Sequence, residues 1–353
     1  VSTHRRNEVR QLGTIRWTWQ ARALLLSAIW GTSFFFIKVG VRSFDPFEVS
    51  SIRVAVGAAT LGAVLLARHQ PFPRGVRLWG HLAVAGLLLN AVPYTLLAWG
   101  EQRIPSLSAG IINATTPLFV VPVAFLLVPS ERLTPSKVSG LVIGFLGVAV
   151  VFGAWNGLSG GHLSGDLACL GASVCYGLGI PYARRFVTKS SASPTGLAAG
   201  QLIAATAELV LVSPLLARMP AHVGAASLLS VLALGAFGTG IAYILNYSII
   251  REAGATNSSL VTYVIPIFST VLGITVLGEA IVWNEPVGAV VVLVGVAISQ
   301  GLIVRRRGTR LTQARPVAAA SGDPPRVPHG VALPLAVVTT AELTAIDDGE
   351  PAD

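Results

Sequence analysis

Residues Ser106 to Phe152 are written a second time at Ala255 to Ile303. A chain that repeats a long apolar unit with a proline at mid-helix is built from two equivalent halves. Laying Pro117 on Pro266, an offset of 149, also sets Phe119 on Phe268, Asn113 on Thr262, Tyr94 on Tyr243 and Gly86 on Gly235. Past the loop the offset falls to 148, so Glu131 no longer faces Glu279, while Gly140 still meets Gly288 and Gly147 meets Gly295. One inserted residue near Pro129 and Ser130 accounts for the step.

Such a repeat is too apolar for water. Of 353 residues 53% are hydrophobic and 12% charged, with a mean hydropathy of +0.69, whereas soluble domains carry about 25% charged residues. The chain therefore reads as an integral membrane protein. Counted in spans of about 20 apolar residues, it offers ten: 23–41, 47–67, 78–99, 105–128, 137–155, 166–183, 195–217, 228–250, 256–278 and 285–304. The net charge of +9 does not point to nucleic acid, because the basic residues sit at the ends of these runs and act as topology signals. Eighteen Lys and Arg fall on the side of the N-terminus and the even-numbered loops, against Arg42, Arg103 and Arg218 on the other. Both termini are thereby expected in the cytoplasm, which requires an even number of spans.

Five spans per copy is odd, so the second copy enters the bilayer from the opposite face. The expected fold is all-α: ten transmembrane helices as two inverted five-helix repeats. In chain order this gives a basic cytoplasmic lead at 1–22, a first repeat at 23–155, an external loop at 156–165, a second repeat at 166–304 and a disordered cytoplasmic tail at 305–353. The run from Val331 to Ala345 is short and broken by Pro334 and Glu342, and is not an eleventh span. No cleavable signal peptide is expected, since the first apolar run is too long for one. Cys169 and Cys175, six apart on one helix, lie about 9 Å from each other at 1.5 Å per residue and cannot form a disulfide.

Several short motifs occur in a fixed order along these spans. They are Ala28-Ile-Trp-Gly-Thr-Ser-Phe in the first, Ile52-Arg53 in the second, Ala114-Thr-Thr-Pro-Leu-Phe in the fourth, Ser130-Glu-Arg-Leu-Thr after it, and Leu277-Gly-Glu279 late in the second copy. The order resembles the EamA-like family of the drug/metabolite transporter superfamily over about residues 20 to 305. The loop after the fourth span departs from the family's usual Gly-Glu-Arg, with Pro129 and Ser130 before Glu131 and Arg132. The resemblance implies a central cavity between the repeats and transport, commonly export, of amino acids or other small metabolites.

Proline has no amide hydrogen, so Pro117 frees the carbonyl of Asn113 and Pro266 that of Thr262. In hydrocarbon a freed carbonyl must find a partner or water. The two sites correspond under the repeat and are expected to bend the helices and face the cavity, although a kink satisfied by a neighbouring helix accounts for them equally well. Tyr243, Asn246 and Tyr247 form a stripe that Thr239 extends by one turn, with Asn90 and Tyr94 as its counterpart in the third span. The stripe faces inward, either toward substrate or as interhelical glue of about 0.6 kcal/mol per bond. Trp79, Trp99, Trp155 and Trp283 mark span ends, and Trp17 and Trp19 precede the first span. Trp30 lies roughly 10 Å into the bilayer at 1.5 Å per residue, with Tyr176 at the matching place in the sixth span. Either ring could line a pathway or stack on a ligand, and ordinary packing explains each alone.

Among the ionisable groups, Glu208 at mid-span is the candidate for coupling to a proton or another ion. Lys38, Arg53 and Gln201 read as structural polar groups, Lys38 snorkelling toward the end of its span and Arg53 aligned with Gln201 when Pro46 is laid on Pro194. Glu101 reads as a surface residue. No lysine follows a glycine, so no P-loop is present, and the six histidines lack zinc or catalytic spacing. Asn113-Ala-Thr115 and Asn257-Ser-Ser259 match a glycosylation pattern by chance, in or beside the membrane. Gly140 and Gly144 form a small-residue face for packing within or between protomers.

The reading is a secondary transporter of the plasma or inner membrane. Its pathway would be lined by Trp30, Asn90, Tyr94, Asn113, Tyr176, Tyr243, Asn246, Thr262 and Tyr263, with no cofactor, metal or catalytic residue. Its partners would be a small-molecule substrate, the lipid bilayer and a coupling proton or ion, with no nucleic acid, and the fold would allow a homodimer. A polytopic membrane enzyme, or a scaffold or sensor that keeps the fold, are the competing readings.

Overall fold

The computed structural model describes residues 18–128, 132–153, 162–218, 220, 222–258 and 261–302. Trp17, Glu131, Trp155, the tail from 305 and the side chain of Asn257 lie outside the described residues. Every described element is helical. In chain order they are α1 (Trp19–Gly40), α2 (Pro46–Ala67), α3 (Val76–Glu101), α4 (Ser106–Leu127), α5 (Pro135–Val151), α6 (Leu163–Phe186), α7 (Pro194–Leu216), α8 (Ala225–Ser258), α9 (Val261–Thr275) and α10 (Asn284–Ser299). Seven of these are long and apolar enough to cross a membrane, while α5, α9 and α10 are shorter apolar helices.

Local chemistry sets the starts. Asp45 and Ser193 precede Pro46 and Pro194, prolines in the first turn where a missing amide costs nothing. Glu48 Oε2 accepts from Asp45 N at 3.1 Å, and Ser193 Oγ accepts from Gly196 N at 3.1 Å. The sequence expected a loop between spans at 251–255. The chain stays helical through it, and α8 runs on to Ser258. Neither Gly nor Pro is placed there to stop it except Gly254, and one glycine is a tolerable cost in a helix.

The surface is inverted relative to a soluble protein. Leu126, Leu211 and Leu215 are 77%, 80% and 84% exposed, while Ser50, Asn90, Ser106 and Thr239 are 0% exposed. That arrangement fits a lipid solvent, where polar groups must be satisfied inside the bundle.

Helix crossings of the first copy recur in the second. A Cβ at Gly31 would overlap Phe268 on α9, and a Cβ at Gly177 would overlap Phe119 on α4. A Cβ at Gly86 would stand 2.9 Å from the carbonyl oxygen of Gln201, and one at Gly235 would stand 2.9 Å from that of Arg53. The Gly140 and Gly144 face packs within the chain. Gly140 lies on Gly295 and Ser299, and Gly147 on Gly288 and Val292, so α5 and α10 cross antiparallel.

The turns sort to two ends. At one, Ser43 of the α1–α2 turn donates to Ser227 in the first turn of α8 at 3.0 Å, and Asp45 lies 3.9 Å from Arg218 of the α7–α8 turn. At the other, Ser193 of the α6–α7 turn donates to Gln70 of the α2–α3 turn at 3.2 Å, and Arg22 at the start of α1 pairs with Glu252 of α8.

Candidate functional site

Two helices carry a π-helical turn in place of regular α-helix: α3 at Leu87–Ala91 and α8 at Ala236–Ile241. These segments coincide under the 149-residue offset. A π turn holds one residue more than an α turn and leaves backbone groups open to other partners, and such turns occur disproportionately at functional sites. Asn90 sits in the first and Thr239 in the second, again equivalent positions.

Each is reached by the equivalent side chain of the opposite half. Arg53 on α2 donates from Nε to Thr239 Oγ1 at 3.0 Å, and Gln201 on α7 donates from Nε2 to Asn90 Oδ1 at 2.6 Å. Asn90 Nδ2 donates to the Tyr243 hydroxyl at 3.1 Å. The Arg53 guanidinium lies 3.6 Å above the centroid of the Tyr94 ring, and the Tyr243 and Tyr247 rings are 6.2 Å apart. Arg53 is 5% exposed and, among the described residues, has no carboxylate within ion-pair distance. Its charge is held by the hydroxyl and the aromatic face.

The structure therefore brings Asn90, Tyr94 and Tyr243 together and adds Arg53, Gln201, Thr239 and Tyr247. Arg53 and Gln201, expected as structural polar groups, join the same seam without bonding each other. Tyr176 touches both the apolar cluster around Leu26 and the one around Leu61, and Trp30 packs against the first. Tyr263 packs instead against the cluster of Leu118, Val148, Val292 and Val296. Its hydroxyl and Asn113 Oδ1 are buried without a hydrogen-bond partner. Thr262 is partly buried, and Asn246 is engaged by a partner.

At Pro117 helix α4 breaks into Ser106–Asn113 and Thr116–Leu127. The freed carbonyl of Asn113 accepts from Thr116 Oγ1 at 2.8 Å, so the break is satisfied within its own chain segment. Pro266 lies inside α9, buried, and its carbonyl accepts from Ser269 Oγ at 3.1 Å. Glu208 is partly buried and its Oε2 meets no donor.

A second polar cluster lies where α3 turns into α4. Glu101 is 0% exposed, which corrects its expected place at the surface, and neither carboxylate oxygen has a hydrogen-bond partner. Lys38, expected to snorkel, donates instead to the carbonyl oxygens of Glu101 and Ile104 at 2.6 and 2.8 Å. Glu279 accepts from Ser106 N, Ser106 Oγ and Leu107 N at 2.7, 2.9 and 3.2 Å, a carboxylate on the positive end of α4. Ser108 Oγ donates to Glu285 Oε1, and Val282 N to Glu285 Oε2 at 3.0 Å. The motif Leu277-Gly-Glu279 thus has a physical reason. Gly278 takes φ +67°, a left-handed turn that favours glycine, and this turns Glu279 onto α4.

A bundle of apolar helices with a buried polar seam defines a multi-pass membrane protein. The chain belongs to the EamA-like transporter family, whose model matches residues 17–153 and again 163–300. It is 29% identical to an uncharacterized inner membrane transporter, YedA, of Escherichia coli, over 72% of this chain and 82% of that one. It is 28% identical to an uncharacterized transporter of Archaeoglobus fulgidus, over 82% of this chain and 99% of that one. Protein PagO of Salmonella typhimurium is 24% identical over 78% of this chain and 90% of its own. A solved crystal structure shares the fold with a TM-score of 0.59 at 23% identity, covering 82% of this chain and 98% of that one. The protein is a multi-pass transporter of the cell membrane.

Proposed function

We propose that this protein is a secondary transporter, not an enzyme, that exports a small amphipathic metabolite by alternating access between two inverted five-helix repeats with both termini cytoplasmic. The observation that carries this reading is the pair of equivalent bonds, Arg53 to Thr239 and Gln201 to Asn90. Each joins one half to the π turn of the other. A seam bonded at equivalent positions on its two sides offers two related closed arrangements, which is what alternating access needs. The antiparallel crossing of α5 and α10 supports the inverted relation, as does the α1–α2 turn lying at the opposite end from its counterpart, the α6–α7 turn.

Asn90, Tyr94, Tyr176 and Tyr243 would meet the substrate at mid-membrane, with Trp30, Asn113, Asn246, Thr262 and Tyr263 along the path. Pro117 and Pro266 would be bending points. A proton or ion would drive the cycle, and a homodimer is compatible with it. Comparative metabolite profiling of cells with and without the gene should identify a solute, and counterflow of that solute in proteoliposomes should then follow the purified protein. No exchange of any profiled solute would sink the reading.

A further inference from the structure

We propose that Glu101 is a proton-binding site whose ionisation releases a latch on the turn between α3 and α4. The site stands on geometry, and only its consequence for transport rests on the function proposed above. Lys38, Val41, Arg42, Glu101 and Gln102 line a cleft of about 370 Å³ at this end of the bundle. Within it, Glu101 is fully buried and both its oxygens lack a donor. A carboxylate deprived of water must be paired or hydrogen-bonded, and here it is neither. Lys38 stands in the same cleft yet gives its ammonium to two backbone carbonyls. The bonds from Lys38 to carbonyl oxygens lack the attraction between two full opposite charges that a carboxylate would add, so an ionised Glu101 would compete for that ammonium. The arrangement suits the neutral acid better than the carboxylate.

The proton transfer is simple: the carboxyl O–H breaks, the proton leaves through the cleft to bulk water, and the carboxylate remains. Lys38 then leaves the carbonyls of Glu101 and Ile104 for the carboxylate. The turn at Gln102–Pro105, held by Lys38 on one side and Glu279 on the other, keeps only the second clamp. In the proposed orientation this is the external end, where opening would expose the seam. The charged and titratable groups around Glu101 are Lys38 and Arg42 of α1, Arg53 of α2, Asp166 and Cys169 of α6, Glu279 and Glu285 at the α9–α10 turn, and Arg103 with His162 beside it.

The test needs no substrate. Infrared spectra of the purified protein in lipid nanodiscs should show a carboxylic-acid stretch that titrates with pH and is missing from Glu101→Gln. Hydrogen exchange of the 102–108 amides, compared at equal pH, should be several-fold faster in wild type than in Glu101→Gln at alkaline pH and equal at acidic pH. The same acid band at undiminished intensity in Glu101→Gln, or equal exchange at every pH, would overturn the proposal. Should Glu101→Gln not fold, Lys38→Gln gives the same answer: the acid band should persist to higher pH, and an unchanged titration would count against the latch. Failure here with successful counterflow removes the latch alone, whereas failed counterflow removes the transporter reading and leaves the proton site to be judged by its spectrum.

Discussion

Asn90 is the residue on which the seam turns, because it accepts from Gln201 and donates to Tyr243 while itself 0% exposed. Asn90→Ala would leave the Gln201 amide buried and unpaired, which costs about 1–3 kcal/mol. Thermal unfolding in detergent should show that loss, and Asn90→Ala combined with Gln201→Leu should recover part of it, since replacing both partners by apolar groups removes the orphan. A double variant no better than the single one would mean the bond is not what holds the pair. The polar stripe on the third and eighth spans made Asn90, Tyr94, Thr239 and Tyr243 legible in the sequence. Arg53 and Gln201 were legible only as an aligned pair, because alignment relates equivalent positions and says nothing of what each one touches. Glu101 was misread for a related reason. Nearness to a span end implies exposure for an isolated helix, whereas here Lys38 and the turn into α4 cover the end.

Helix packing repeats between the two copies as well. Gly177 meets Phe119 as Gly31 meets Phe268, with no room for a Cβ in either crossing. Gly177→Val should destabilise the protein by about 1–3 kcal/mol through overpacking, and adding Phe119→Ala should relieve part of that. An unchanged melting temperature in Gly177→Val would show that the crossing can shift. The π turns were invisible in the sequence, since an extra residue inside an apolar helix changes neither its composition nor its flanks. They make a separate prediction. Deleting Leu88 removes the extra residue and regularises α3, so the variant should still fold, with a melting temperature lowered about as far as in Asn90→Ala. The deletion should move Asn90 away from Gln201 and lower the counterflow rate. Full transport by the deletion variant would separate the π turn from function.

At the scale of the whole molecule, what the sequence made legible was the duplication, and the odd number of spans in each copy turned it into a claim about direction. That claim depends on charge asymmetry for its sign, because lipid treats both faces of an apolar helix alike and only loop Lys and Arg distinguish inside from outside. Gln102 and Arg218 belong to turns at the end that carries Ser43 and Ser227, and Arg74 and Lys189 to turns at the end that carries Gln70 and Ser193. All four side chains are exposed. With Cys169 and Cys175 replaced by serine, single cysteines at Gln102 and Arg218 should react with a membrane-impermeant thiol reagent added to intact cells. Cysteines at Arg74 and Lys189 should react only after the cells are opened. Gln102 lies in the first copy and Lys189 in the second, so labelling of all four from one side would contradict a bundle whose copies run in opposite directions. The reverse pattern would keep the inversion and reverse the orientation, placing the Glu101 cleft on the cytoplasmic side.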